Sequence, residues 1–168
     1  MITQMISRIR FLFSSTNQHG VHSPFVYDYL TNCLYKKPRI KRNKTFEILL
    51  RSIPYFKVKN IKIPHKDEGL ITKLEGHFPD LKINIPPYDM VVIPIMHWSK
   101  AADSPIGSKE PSKEVIYFLT DLYGSKKSKT LWKSAAQSVQ FNVSIDLYYS
   151  GLLFRRPAQR KQHFKVRI

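Results

Sequence analysis

Cysteine is almost missing from this chain of 168 residues: Cys33 stands alone. A single thiol excludes an internal disulfide and a cysteine-rich zinc site, and it fits a reducing, cytoplasmic setting. Its neighbours are apolar residues of a predicted helix, so packing is its expected role. Glycine is scarce as well, with 6 residues in all. That leaves little material for a loop whose backbone closes on a phosphate or a nucleoside. No apolar run reaches the roughly 20 residues that a membrane-crossing helix needs. The opening MITQMISRIRFLF is interrupted by Arg8 and Arg10 and has no convincing cleavage site, which makes it a poor secretory signal. Its acid-free, Ser- and Arg-containing composition is compatible with an organellar transit peptide.

Acids are the scarce charge. No Asp or Glu precedes Asp28 and none follows Asp146; 12 acids face 28 Lys and Arg, for a formal net charge of +16 and a pI near 10.0. A field of this sign attracts polyanions such as nucleic acid, anionic lipid or phosphorylated ligands. The charge is spread along much of the chain, so a basic but otherwise ordinary protein is an equal reading. What is present in quantity is apolar and aromatic: 42% hydrophobic residues, with 10 Phe and 9 Tyr. That composition excludes a disordered chain, and the length suits one domain with a real core.

Periodicity gives the order of elements. Ile2, Met5, Ile6, Ile9 and Phe13 recur at helical spacing and predict a short amphipathic helix docked on the domain, with a basic face that also permits a membrane surface. Ser23 followed by Pro24 predicts a helix start, a side-chain cap followed by a residue of preset φ, and FVYDYLTNCLY continues it. Lys36–Lys44 carries six positive charges in nine residues and reads as a solvated linker before it reads as an anion patch. TFEILLRSIPYF predicts a helix ending near Pro54, NIKI a strand, DEGLITKLEGHF a helix, and LKINI a second strand. YDMVVIPI and EVIYFL are continuous apolar runs of the kind that buried parallel strands show. MHWSKAADSPIGSKEPSK between them predicts a loop. SKTLWKSAAQSV predicts a helix, NVSIDLYYSGLLFRR a hairpin bent around Ser150 and Gly151, and HFKVRI an edge strand. Strands alternating with helices, then a terminal hairpin, predict an α/β three-layer sandwich on a mostly parallel, Rossmann-like sheet.

The segments HGVHSPFVYDYL, YFKVKNIKI, YDMVVIPIMH, EVIYFLTDLYGSKKSKTLW and VSIDLYYSGLLFRRPAQRKQHFKVRI together resemble class I S-adenosylmethionine-dependent methyltransferases, close to a bacterial subgroup of O-methyltransferase-like proteins. The resemblance divides the chain into a helical segment with a basic linker, 1–44, and a methyltransferase-like α/β domain, 45–168. It implies S-adenosylmethionine as cofactor, O-methyl transfer as the activity if one is retained, and no metal. It also implies a sheet shortened by about one strand and one helix between Gly69 and Tyr88. The family's glycine loop after the first strand is replaced here by PHKDEG, which leaves Asp67, Glu68 and Gly69 as the cofactor-binding candidates. The second strand ends towards Pro86 rather than in the family's ribose-binding acid. Pro94 stands where the fourth strand commonly ends in Asp, and Thr120 precedes Asp121 where metal-dependent relatives carry paired Asp residues. The implied function is a degenerate methyltransferase-like protein with weak or no cofactor binding. A basic module that binds nucleic acid or another anion on the same fold is the alternative.

Other constellations carry less. His97 and Asp121, near strand ends, are candidates for a base and its orienter. Trp98 and Tyr123 offer flat faces for a base or adenine. His19 and His22 form an HxxH pair, weak as a metal site without a carboxylate at a set offset. Arg155, Arg156, Arg160, Lys161, Lys165 and Arg167, near Tyr148, Tyr149, Phe154 and Phe164, suit either a nucleic-acid surface or a charged edge strand that resists aggregation. The proline and charged side chains of PHKDEG leave the turn after the first strand expected to hold little.

Overall fold

The computed structural model describes residues 2–37, 43–63, 67–99 and 114–168. Seven strands form one mixed sheet in the order β2-β1-β3-β4-β6-β5-β7. They are β1 (Asn60–Lys62), β2 (Lys82–Ile83), β3 (Met90–Pro94), β4 (Ile116–Thr120), β5 (Val143–Asp146), β6 (Ser150–Phe154) and β7 (Gln162–Lys165). All neighbours pair parallel except β6, which runs antiparallel to both β4 and β5.

Alternation along the strands builds two cores. Met90, Val92, Ile116, Phe118, Leu152 and Phe154 face one side, while Val91, Ile93, Leu119 and Leu153 face the other, as a period of two requires. The first side is covered by α2 (Pro24–Tyr29), the π turn Leu30–Leu34 that continues it, α3 (Lys44–Tyr55) and α4 (Glu68–His77). The second is covered by α5 (Lys126–Gln137) and by Trp98 after the 3₁₀ turn Ile95–His97. Three layers result. Val21, Val26, Tyr29 and Leu30 share the first core with Ile61 and Leu152, so the N-terminal segment is part of the sandwich and not an appendage. The basic linker lies mostly outside the described residues, as does most of the loop predicted from Met96 to Lys113.

Four helices begin at a capping side chain whose oxygen accepts a backbone N–H. Ser23 takes Val26, Asn43 takes Phe46, Asp67 takes Leu70 and Ser125 takes Ser128. Each such cap is worth about 1 kcal/mol. The buried Tyr29 hydroxyl meets Ser52 Oγ at 2.7 Å, and Ser52 donates to the Ile48 carbonyl, so the one polar link between α2 and α3 inside this core is satisfied.

Two expectations are corrected. The hairpin turn falls at Leu147–Tyr149, with Tyr148 at φ 68, and Ser150–Gly151 opens β6 instead. Gly151 is needed for a different reason: a Cβ there would sit 2.6 Å from Trp132 Cη2. Helix α1 (Ile2–Ser14) docks on the domain as expected, but through Ser7, Phe11 and Ser15, which are buried. Its apolar stripe faces outward. Phe11 packs edge-on against Tyr123 and Tyr148, and Thr16 pairs with Val166 beside β7.

Gly151→Ala drives a methyl into the Trp132 ring, which is held in place on the second core, so it is expected to cost about 1–3 kcal/mol in denaturant unfolding. Burial pushes the Cys33 thiol up to about 12, with its Sγ donating to the Arg51 carbonyl. Alkylation by iodoacetamide at pH 8 is therefore expected only after denaturant is added; native-state labelling would contradict this packing.

Candidate functional site

Parallel strands β1, β3 and β4 end together, and their carboxyl ends bring Ile63, Val92, Pro94, Phe118 and Thr120 to a cleft of about 390 Å³. The chain leaves β1 for β2 on one side and returns to β3 on the other, which is where open α/β sheets hold ligands. The amino-terminal ends of two helices form the walls: Asn43, Thr45, Phe46 and Leu49 from the start of α3, and Asp67, Gly69, Leu70 and Lys73 from the start of α4. Asp121 completes the rim. The volume is at the lower end of the range for small-molecule sites. Pro64, His65 and Lys66, three of the side chains expected to fill the turn after β1, lie outside the described residues.

Several polar atoms at and beside this cleft have partners in the chain. Asn43 and Asp67 cap their helices at 3.0 Å each. Thr45 Oγ1 donates to the Tyr149 carbonyl at 3.1 Å, and Thr120 Oγ1 donates to Asp121 Oδ2 at 3.0 Å. Asn84 directly follows β2 at φ 59, and its Oδ1 accepts the Ile63 N–H at 2.8 Å. At the opposite, amino-terminal end of these strands, away from the cleft, Asp89 Oδ2 accepts the N–H groups of Lys59 and Asn60, both at 2.8 Å, and so fixes where β1 begins. Among the described residues the lining carries two carboxylates, Asp67 and Asp121, and one ammonium, Lys73, whose Nζ sits 5.9 Å from the Phe46 ring centre.

Of the residues singled out from sequence, Asp67, Gly69 and Asp121 line one cleft. Glu68 is exposed on the first turn of α4 and is not part of the lining. Gly69 gives no special backbone approach: an added Cβ would meet only Asp67 Oδ1, at 3.6 Å, and no described glycine has positive φ. Asp121 does have positive φ, 61°, a conformation that Asp tolerates better than most residues. His97 is half-buried in the turn after β3 and does not line the cleft, so the cleft does not bring it together with Asp121.

Trp98 and Tyr123 have no free faces. Trp98 packs against Tyr117 and Phe141, and Tyr123 stacks on Tyr148 at 4.8 Å. Several of the C-terminal cations singled out have contacts within the chain. Arg167 reaches the carbonyls of Leu12 and Ser15, Lys165 reaches Ser14, Lys161 reaches the carbonyls of Gln137 and Ser138, and Arg156 lies 4.0 Å from the Phe25 ring centre. His19 sits in a 3₁₀ turn with its N–H on Asn17 Oδ1. Among the described residues no group of three or more His, Cys, Asp or Glu is placed to hold a metal ion. No family model matches the chain, and neither does any curated protein or solved structure.

One buried acid was not singled out from the sequence. Asp146, at the end of β5, is 2% exposed and accepts from Tyr123 Oη at 2.5 Å, Trp132 Nε1 at 2.9 Å and the Tyr148 N–H at 3.0 Å. Burial pushes its carboxyl above the usual range, against the pull of those donors. The signal was an isolated acid inside an apolar strand pattern, followed by two tyrosines. This network is structural: it ties α5, the β4–α5 turn and the hairpin to one carboxylate. Asp146→Ala strands three donors in the interior and is expected to cost about 3 kcal/mol by chemical denaturation, with no change in any ligand affinity at the cleft.

Proposed function

We propose that this chain is a methyltransferase-like protein of the S-adenosylmethionine-dependent class, reduced by one strand and one helix, whose cleft binds that cofactor weakly or not at all. It serves as a binding scaffold rather than as a catalyst. Support comes from the strand order, in which parallel strands end on a C-terminal antiparallel hairpin, and from a cleft over the reversal point. The two carboxylates of the described lining favour a cationic ligand, such as a sulfonium, over a polyanion at this place.

The observation that carries the reduced-binding reading is the commitment of Asn84. It directly follows β2, in the segment that runs on towards Pro86 without the ribose-binding acid the resemblance calls for, and its carboxamide oxygen accepts the Ile63 N–H at 2.8 Å. Asp67, a candidate substitute, gives its Oδ1 to the cap of α4. With no described glycine at positive φ to cradle a ligand, the residues present do not fit a tightly held nucleoside, and no transfer step follows from them. Two or three missing hydrogen bonds at about 1 kcal/mol each lower affinity on the order of 10²-fold.

The net charge of +16 favours a second reading, in which surfaces away from the cleft bind nucleic acid or another polyanion. Affinity for arbitrary single- and double-stranded nucleic acid that rises as salt is lowered would support it; none at low salt would remove it.

Calorimetry and thermal shift with S-adenosylmethionine and S-adenosylhomocysteine test the first reading. The expected result at millimolar ligand is no saturable heat and stabilisation below about 1 kcal/mol. A dissociation constant in the micromolar range would contradict it.

A further inference from the structure

We propose that α1 is a docking element for an anionic membrane surface, on which the helix lies flat with its apolar stripe in the headgroup region. The stripe consists of Met5, Ile6, Ile9, Leu12 and Phe13, all exposed, with Phe13 at 89% and Met5 at 60%. Those positions share one helical face. The opposite face holds Ser7, Phe11 and Ser15, and that narrow face fastens the helix to the domain. An amphipathic helix ordinarily turns its apolar side to the core. Here the docking is inverted, and the inversion is held by specific contacts: Phe11 edge-on to Tyr123 and Tyr148, Lys165 Nζ 4.8 Å from the Phe11 ring centre, and Arg167 on the carbonyls of Leu12 and Ser15.

Charge identifies the occupant. Arg8 and Arg10 are exposed on either side of the stripe; the Arg8 guanidinium lies 5.6 Å from the Tyr149 ring centre, and both cations add positive charge beside the apolar surface. Residues 1–27 and 147–168 contain no acid, and the two segments meet at the Thr16–Val166 bridge. The apolar stripe is therefore set in a surface to which both acid-free ends of the chain contribute. A second copy on this face would bring like charges together, and nucleic acid would have no use for five exposed apolar side chains. A bilayer with anionic headgroups matches both features at once. No described helix is long and apolar enough to cross a membrane, so the contact is with the surface.

The test is co-sedimentation of the full chain with vesicles of phosphatidylcholine alone and with equimolar phosphatidylcholine and phosphatidylglycerol, alongside analytical ultracentrifugation. The wild type is expected to bind the anionic vesicles at least about tenfold more tightly, and less so as salt rises. Ile9→Ser/Phe13→Ser replaces only exposed side chains, so its melting temperature should stay while anionic-vesicle affinity falls at least about tenfold. Arg8→Gln/Arg10→Gln should lose affinity and salt dependence together. The proposal is overturned by absence of binding at low salt, by equal binding to both vesicles, or by unchanged binding of the Ile9→Ser/Phe13→Ser variant. A wild-type dimer dissolved by that variant would also overturn it, by assigning the stripe to a second copy.

Discussion

Backbone N–H groups left over at the carboxyl end of the sheet must find acceptors, and short polar side chains supply them. Asn84 serves Ile63 at the end of β1, Asp67 serves Leu70 at the start of α4, and Asn43 serves Phe46 at the start of α3. The two helix caps are exposed and the Ile63 bond is part-buried, so each contributes about 1 kcal/mol to the fold. They also decide the chemistry of the cleft they surround. Oxygens that hold the chain together are poorly placed to hold a ribose. The cleft survives in shape because strands β1, β3 and β4 must end somewhere, and its ligand-binding capacity is a separate matter of which side chains remain uncommitted.

A comparable division governs the hairpin beside it, at the end of β5. The hairpin is pinned by Asp146, whose carboxylate gathers Tyr123, Trp132 and the Tyr148 N–H, and by Gly151, which makes room for the same Trp132 ring. Against that pinned surface α1 is applied by Phe11. The consequence is a helix whose larger apolar side is exposed among the described residues. The molecule therefore has a recess with two carboxylates in its described lining, and another region has an acid-free, apolar and basic face.

Much of the architecture was legible in the sequence, for physical reasons. The runs MVVIP and IYFLT could be read as buried strands because a strand covered on both faces leaves no polar alternation to confuse with a helix. Ser23–Pro24 announced α2 because a cap and a preset φ are local devices. What depended on tertiary partners was not legible. The stripe of α1 pointed the wrong way because periodicity gives a face but not its direction. The hairpin turn was placed two to three residues late because Gly151 looked like a turn residue, while the positive φ is taken by Tyr148. At the site, Asp67, Gly69 and Asp121 could be found from their positions at strand ends, but Asn84 could not: nothing in LKINI says that its amide turns back onto Ile63. Asp146 was missed because a lone acid in a strand declares itself only when the donors around it are known.

The central claim is that Asn84 Oδ1 and Asp67 Oδ1, at the carboxyl end of the sheet, serve the fold and not a ligand. Amide hydrogen exchange at Ile63, Leu70 and Phe46, followed by NMR with and without millimolar S-adenosylhomocysteine, tests it most directly. The account predicts the same protection factors at all three amides in both conditions. A saturable change of about tenfold or more at Ile63 or Leu70 would show Asn84 or Asp67 responding to the nucleoside, and would contradict it.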